Sequence, residues 1–213
     1  MNDKTDDHYR FLITYLHLRK VIGLLAISLP FILLIGNMMI FEKYNIQPSI
    51  SDYYHTDMRD IFVGVLFAFG IFLFSYKGHE PKDNLAGNLA CVFAVGVALF
   101  PTSRDPANIA GYIHASSAAL FFLTLSYFSL RLFIKTGTST PSARQKLRIK
   151  IYKACGLTML VCMGLVIIYF ALPASMKDAL AVYKPIFFLE TAMIFAFGIS
   201  WFTKGKGILA DEK

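Results

Sequence analysis

VIGLLAISLPFILLIGNMMIF, which occupies Val21–Phe41, contains no charged residue. An α-helix needs about 20 consecutive apolar residues to cross the ~30 Å hydrocarbon core of a bilayer, and this stretch has that length. Inside hydrocarbon the backbone must satisfy its own hydrogen bonds, so such a stretch forms a helix rather than an open strand. Further stretches along the chain share this character. The predicted transmembrane helices are residues 21–41, 58–76, 85–101, 109–133, 154–172 and 185–202.

The composition supports an integral membrane protein. Hydrophobic residues make up 56% of the chain and charged residues only 16%, and the charged residues concentrate between the apolar stretches, as in loops. The polar segments are too short to form a separate soluble domain. We therefore predict that residues 1–213 form one integral membrane domain, an all-α bundle of six transmembrane helices. Residues Phe11–Lys20 could extend the first helix into the interface.

The basic residues predict the orientation of this bundle, because cytoplasmic connections carry an excess of Lys and Arg. If both termini lie on one side, that side receives 16 of the 21 Lys and Arg residues. We therefore predict a multi-pass protein of the inner (plasma) membrane whose N- and C-termini are cytoplasmic. The dense basic segment Ser142–Lys153 is interpreted as a loop held inside by its charge. An interfacial helix that contacts anionic lipid headgroups is the alternative.

Charge and cysteine content argue against several classes of partner and site. The net charge of +7 is mainly a consequence of topology, and no folded basic domain is present to bind nucleic acid. Membrane lipids are the expected partners, and the sequence indicates no particular protein partner. The three cysteines lie inside predicted helices without C-x-x-C spacing, which argues against a disulfide framework or a cysteine zinc site.

The first outer connection is the polar segment PSISDYYHTDMRD, residues 48–60, which leads into the second predicted helix. Ser51 or an adjacent Asp could cap that helix, and Asp52 would then lie in its first turn, where the helix dipole favours an anion. In a helix that begins there, Asp52, His55 and Arg59 share one face because they are three and four residues apart. Tyr53 is typical of the aromatic belt at a membrane interface.

Two ionisable residues lie inside the fourth and sixth predicted helices. His114 and Glu190 each follow the start of their helix by five residues. At 1.5 Å per residue, each lies about 7.5 Å below the outer end. Asp60 enters from the same side, so we expect His55, Asp60, His114 and Glu190 to converge. Ionisable groups within a membrane usually face the bundle interior or a hydrated cavity.

These residues define a candidate pocket for a lipid headgroup or another small amphiphile, in which Arg59 or Arg104 pairs with an anionic group. Asp60, His114 and Glu190 would set the shape and protonation of the pocket. The alternative is a polar network that only fixes helix packing, at about 1 kcal/mol per hydrogen bond. The candidate pocket residues are Ser51, Asp52, His55, Arg59, Asp60, Arg104, His114 and Glu190.

Two further functions stay open, and whether the protein is an enzyme is left undecided. His55, Asp60, His114 and Glu190 are ligand types that suit zinc or another divalent metal ion. Such a metal could activate water in a membrane-embedded hydrolase of a lipid amide or ester. The sequence contains neither H-x-x-x-H nor H-E-x-x-H. The other alternative is a proton-coupled carrier that uses Glu190 and His114 as a relay.

Three short motifs carry a resemblance to a known family. They are Pro48-Ser49-Ile50-Ser51-Asp52, then Phe62-Val63-Gly64, and a fourth helix that opens with His114, small residues and Phe121-Phe122. Over about Val21 to Arg131 the chain resembles a bacterial multi-pass membrane-protein family of unknown function, which is similar to the eukaryotic damage-regulated autophagy modulator family. The resemblance implies six or nearly six helices and a link to membrane-lipid organisation and trafficking.

A fainter resemblance is to the alkaline ceramidases and the progestin/adiponectin-type receptors, which assemble Ser, Asp and three His side chains around zinc. This chain offers Ser51, Asp60 and His114, with His55 as an addition. A third His is lacking in that leaflet. The resemblance implies the metal-dependent hydrolase given above as an alternative.

Overall fold

A computed structural model describes residues 3–76, 81–103, 108–135 and 141–209, apart from the side chains of residues 3–13, 81 and 82. The chain is 80% helical, and no β-strand occurs in the described residues. A 3₁₀ turn forms at Ser51–His55, and a π-helical turn at Phe128–Leu132 continues the fourth α-helix. The α-helices are α1 (Asp3–Met39), α2 (Arg59–Phe74), α3 (Pro81–Leu99), α4 (Ile109–Tyr127), α5 (Ala143–Ala171), α6 (Ala174–Ala181) and α7 (Pro185–Lys204).

Several of these helices have the length and composition of membrane spans, so an all-α membrane protein is confirmed at this level. α2 has 16 residues, which is about 24 Å of helix at 1.5 Å per residue. Asp83–Leu99 in α3 is also apolar but shorter than a full span. The four helical segments of the described chain that are long and apolar enough to cross are Thr14–Met39, Ile109–Leu132, Ala143–Ala171 and Pro185–Lys204.

α1 is much longer than its apolar stretch. It begins at Asp3, so the predicted extension through Phe11–Lys20 is confirmed. The helix also runs through Pro30 without interruption. A 37-residue helix is about 55 Å long, which exceeds the ~30 Å hydrocarbon core, so α1 must tilt or project beyond it.

α5 begins before its apolar stretch because a capping box starts it. Ser142 Oγ accepts a hydrogen bond from Gln145 N (3.2 Å), and Gln145 Oε1 accepts one from Ser142 N (2.8 Å). This reciprocal pair satisfies two backbone donors that a helix N-terminus otherwise leaves free. The basic segment Ser142–Lys153 is therefore the first part of a membrane-length helix, and its interpretation as a loop is wrong.

The helices pack in an antiparallel arrangement in which α7 contacts α1 and α5, and α3 contacts α2 and α4. α1 and α7 approach so closely that a Cβ on Gly198 would lie 2.7 Å from Gly23 O. Small residues permit this backbone contact between membrane helices. Further along, Gly205 lies against Lys20, so residue numbers fall in α1 as they rise in α7.

The two ends of the bundle differ in composition. Trp201 lies at one end in an aromatic cluster, with ring centroids 5.9 Å from Tyr76, 5.8 Å from Phe128 and 5.2 Å from Phe133. We call this the termini end, since it holds the start of the membrane part of α1 and the last turn of α7. The opposite end is the cap end. It is named after the cap segment, Pro48–His55, which connects α1 to α2 there.

Candidate functional site

The cap segment is folded and packed against the helices of the bundle. Pro48 O accepts a hydrogen bond from Phe187 N (3.0 Å) in the first turn of α7. Ser49 Oγ accepts one from Asp52 N (2.9 Å), the local bond that Ser often forms in turns. Ile50 is buried in the hydrophobic core. The cap segment is thus held both to itself and to the bundle.

The cap segment and α2 do not form one helix, so the predicted shared face is wrong. Thr56 is extended (φ −119°, ψ 176°), and its hydroxyl donates to Tyr53 O (2.8 Å). The 3₁₀ turn therefore ends at His55, and α2 begins only at Arg59. Helical offsets do not apply across this break, so Asp52 does not share an α-helical face with the arginine.

Glu190 connects α7 to the cap segment. Its carboxylate accepts a hydrogen bond from Ser51 N (3.1 Å), and its other oxygen lies 3.5 Å from Ser51 Oγ. Bonds from a backbone N–H to a carboxylate are stronger than neutral ones. Ser51 makes no side-chain cap of the helix and meets Glu190 instead. Asp52 also lies within electrostatic range of Glu190, so the structure brings these three predicted residues together.

A small cavity lies beneath this contact. Its volume is about 40 Å³, and it is lined by Ser51 and Glu190 and otherwise by apolar side chains such as Leu66, Phe121 and Ile194. The cavity therefore has room for at least one water molecule. A lipid headgroup does not fit there.

His114 fixes the end of α3. It is only 4% exposed, and its Nδ1 lies 2.8 Å from Phe100 O. A carbonyl oxygen only accepts, so Nδ1 carries the hydrogen and donates it. This bond satisfies one of the carbonyl groups that a helix C-terminus leaves without a partner. Nε2 of the same ring is buried and makes no hydrogen bond to the part of the chain that the structure describes.

His55, Arg59 and Asp60 lie at the surface and do not line the cavity. His55 Nε2 donates to Thr102 O (2.8 Å), and Asp60 lies in the first turn of α2, where it complements the helix dipole. Arg59 Nη2 donates to Tyr54 OH (3.1 Å), and its guanidinium carbon lies 4.7 Å from the centroid of that ring. Of the four ionisable residues expected to converge, His55 and His114 lie within electrostatic range of each other, whereas only Glu190 lines the cavity.

The geometry gives no support to a metal centre built from His55, Asp60, His114 and Glu190. Within the described ranges, no group of three or more His, Cys, Asp or Glu side chains is placed to hold a metal ion. Arg104, the other residue expected to pair with an anionic group, lies outside the described residues.

An apolar groove of about 540 Å³ runs between α3 and α4 at the cap end. Sequence reasoning missed this groove. Ser117 lies against Gly96 where the two helices touch, and larger apolar side chains line the groove on either side of this contact. The sequence did contain a pattern that indicates such a groove, because small residues on α4 are flanked by large apolar ones. The groove is lined by Val92, Leu99, Ile113, Leu120, Ser116 and Ser117, among others.

Arg59 is connected to this groove by two hydrogen bonds. The guanidinium group donates to Tyr54 OH (3.1 Å), and that hydroxyl donates to Leu99 O (3.4 Å). Leu99 is one of the groove residues. A guanidinium has five N–H donors, so the bond to Tyr54 leaves others for a ligand. The structure therefore places an exposed cation two hydrogen bonds away from a residue that lines the apolar groove.

Tyr53 is fully buried, and its hydroxyl has no hydrogen-bond partner among the described residues. Burial raises the pKa of this hydroxyl, and the nearby backbone of Gln47, which does not reach hydrogen-bonding geometry with it, opposes part of that rise. The prediction that Tyr53 belongs to an interfacial belt is wrong, because the 3₁₀ turn directs its ring into the core.

Comparison of the chain with protein-family models, with curated protein sequences and with solved structures finds no match. The resemblance to the bacterial multi-pass family therefore stays a prediction.

Proposed function

We propose that this is a six-span protein of the inner membrane with cytoplasmic termini, and that its cap end binds an anionic amphiphile such as a lipid. The apolar part of the ligand occupies the α3–α4 groove, and its anionic group pairs with Arg59. The single observation that carries this proposal is the pair of hydrogen bonds that holds the Arg59 side chain beside the groove.

The size and chemistry of the groove support this assignment. A volume of about 540 Å³ falls within the 300–1,000 Å³ range common for ligand sites, which are mostly apolar with a few polar groups. Ser116 and Ser117 supply hydroxyl groups in an otherwise apolar wall. The planar fork of an arginine matches the oxygens of a phosphate or carboxylate. An acyl chain with an anionic headgroup combines these two requirements.

The exposed surfaces of α2 and α3 support six spans rather than four. Gly87 of α3 approaches Leu73 O of α2, and Gly70 lies against Cys91, so the two helices pair in antiparallel fashion. Large apolar side chains remain exposed along both helices, which is unfavourable in water and suits contact with lipid. These include Ile61, Ile71, Phe74, Leu85, Leu89 and Val92. The excess of Lys and Arg on one side supports cytoplasmic termini.

Removing the cation should remove the ligand. We expect the lipid that co-purifies with the protein in mild detergent, measured by mass spectrometry, to fall about tenfold or more in the Arg59→Ala, Arg104→Ala double variant. A charge-assisted hydrogen bond to an anionic group is stronger than a neutral one, so its loss should show clearly in the amount of bound lipid. Ser116→Trp, which fills the groove, should have the same effect while both arginines are retained.

Two variants serve as matched controls. Lys150→Ala removes an exposed cation from α5 at the termini end, and Val161→Trp adds an indole to the exposed side of α5. Both should retain the lipid content of the wild type. Unchanged lipid in both the arginine variant and Ser116→Trp, with thermal transitions that show folded protein, contradicts the proposal.

Glu190 favours a second candidate function, proton-coupled transport. A carboxyl group in a membrane-length helix that lines a cavity is typical of proton pathways. Glu190→Gln keeps the size of the side chain and can still accept from Ser51, but it cannot exchange a proton. In proteoliposomes that contain a pH-sensitive dye, a carrier should lose solute-driven proton flux in Glu190→Gln and keep part of it in Glu190→Asp. A wild-type protein without flux rules out this candidate.

A further inference from the structure

Cationic side chains gather around the aromatic cluster at the termini end. Lys135 has an anionic partner, since its Nζ lies 3.1 Å and 3.3 Å from the two carboxylate oxygens of Asp83. Asp83 is only 1% exposed, so this pair is formed inside the bundle. Two other cations, Arg19 and Lys204, form no ion pair with an acidic side chain in the part of the chain that the structure describes.

Arg19 lies on aromatic rings and keeps an unused donor. Its guanidinium carbon is 4.1 Å from the ring centroid of Tyr15 and 5.7 Å from that of Tyr76. Its Nε is buried and has no hydrogen-bond partner among the described residues. Buried donors without an acceptor are uncommon in native proteins, and each one calls for an explanation such as an unseen ion.

Lys204 lies in the last turn of α7, close to Arg19. Its Nζ donates to Phe133 O (3.3 Å) and lies 5.3 Å from the Phe133 ring and 5.9 Å from the Tyr152 ring. Arg19 and Arg148 are within electrostatic range of Lys204, and their like charges oppose its own. An anion between Arg19 and Lys204 would turn this repulsion into attraction.

We propose that Arg19 and Lys204 together bind a phosphate-type anion, supplied either by a lipid headgroup or by free phosphate. Arginine offers phosphate a planar fork of N–H donors, and lysine offers a compact point charge. Asp83 is paired with Lys135 and forms no ion pair with Arg19 or Lys204 among the described residues. The site lies at the ends of two membrane-length helices, α1 and α7, which is where lipid headgroups are found.

The chain contains a single tryptophan, Trp201, which is a built-in reporter for this site. Its ring lies 5.9 Å from Tyr76 and 5.2 Å from Phe133, the two rings that contact Arg19 and Lys204. We expect a saturable change in Trp201 emission when the protein in phosphatidylcholine nanodiscs is titrated with inorganic phosphate. The lipid arm of the experiment replaces phosphatidylcholine stepwise with phosphatidylglycerol, without added phosphate.

Variants separate a specific site from general attraction between charges. Lys204→Met keeps most of the side-chain length and should weaken the response about tenfold or more, as loss of a charged hydrogen bond implies. Arg19→Lys keeps the charge but loses the fork, so it should also weaken the response. Lys150→Met removes an exposed charge on α5 and should titrate like the wild type.

A response to phosphatidylglycerol alone assigns the site to a lipid headgroup, and a response to phosphate alone assigns it to a free anion. Either result supports the proposal if it depends on Arg19 and Lys204. The proposal is overturned if neither titration changes the emission. It is also overturned if Arg19→Lys and Lys204→Met respond like the wild type. Because Arg19→Lys preserves charge and size, it tests the site even if Lys204→Met does not fold.

Discussion

Glu190 shows how much of a membrane carboxylate's role depends on its partner. Its depth in the sixth apolar stretch predicts a polar site near the start of that helix, and the structure has one there, at the cap end. The partner is the backbone N–H of Ser51, which is 139 residues away in the chain. No local pattern identifies such a pair, since it depends on where α7 meets the cap segment.

Thr56 explains why the polar segment does not form the single helical face that its spacing predicted. Its hydroxyl bonds to Tyr53 O and offers the backbone an alternative to continued helix. Such an interruption between two helical segments changes the direction in which every later side chain points, relative to one continuous helix. His55 and Asp60 therefore lie at the surface, although their spacing alone would place them near the buried residues.

Replacing Tyr53 with Phe should be neutral or stabilise the protein by up to about 1 kcal/mol at neutral pH, because the lost hydroxyl is buried without a partner. The stability of Tyr53→Phe relative to the wild type should increase further above pH 10. Since burial raises the pKa of Tyr53, its contribution to wild-type stability is complete below the unfolded value of about 10 and is lost as pH rises through the folded value.

Thermal unfolding in detergent at pH 7.5 and at pH 11 measures both effects. Tyr54→Phe is the matched control, because that hydroxyl bonds to Arg59 and Leu99 and its loss should destabilise the protein slightly. Tyr76, whose pKa is raised by burial to about 12, is present in the wild type and in both variants, so its titration does not affect the comparison. A clear destabilisation by Tyr53→Phe at pH 7.5 would show that its hydroxyl has a partner.

At the scale of helices, apolar length predicted that the elements exist, and local hydrogen bonds decided where they end. α7 begins at Pro185 as predicted, where the ring fits the first position of a helix. α5 begins earlier than its apolar stretch because the Ser142–Gln145 capping box starts it. The short helix α6 was not predicted, since eight residues are too few to show a clear period.

The close approach of α1 and α7 makes a prediction about packing. A Cβ on Gly198 would lie 2.7 Å from Gly23 O and 3.1 Å from Ile27 N, which is backbone that cannot move aside cheaply. Gly198→Ala should therefore destabilise the protein by about 1–3 kcal/mol, as overpacking does. The measurement is the shift of the thermal transition in detergent.

Gly64→Ala is the matched control, because no atom of another element lies within 4 Å of a Cβ at that position. Alanine is the better helix former by roughly 1 kcal/mol, so this variant should be neutral or more stable. Equal effects of the two substitutions would mean that the helices are not in contact at Gly198.

At the scale of the whole molecule, the two ends of the bundle carry different chemistry. The cap end has the hydrogen-bonded cap segment, a small cavity with room for water, and an apolar groove that Tyr54 links to Arg59. The termini end has an aromatic cluster that holds Arg19 and Lys204. Three of the cations that charge counting assigned to one side lie at this end, namely Arg19, Lys135 and Lys204.

The amino-acid sequence alone determined that this chain is a helical membrane protein and roughly where its long helices lie. Both follow from local properties, the length of an apolar stretch and the need of its backbone for internal hydrogen bonds. Only the tertiary structure decided which side chains meet. The side chains that meet come from segments far apart in the chain, as in the pairs Ser51 and Glu190, Tyr54 and Leu99, and Asp83 and Lys135. Their contacts depend on the rotation and register of packed helices, which short-range patterns do not contain.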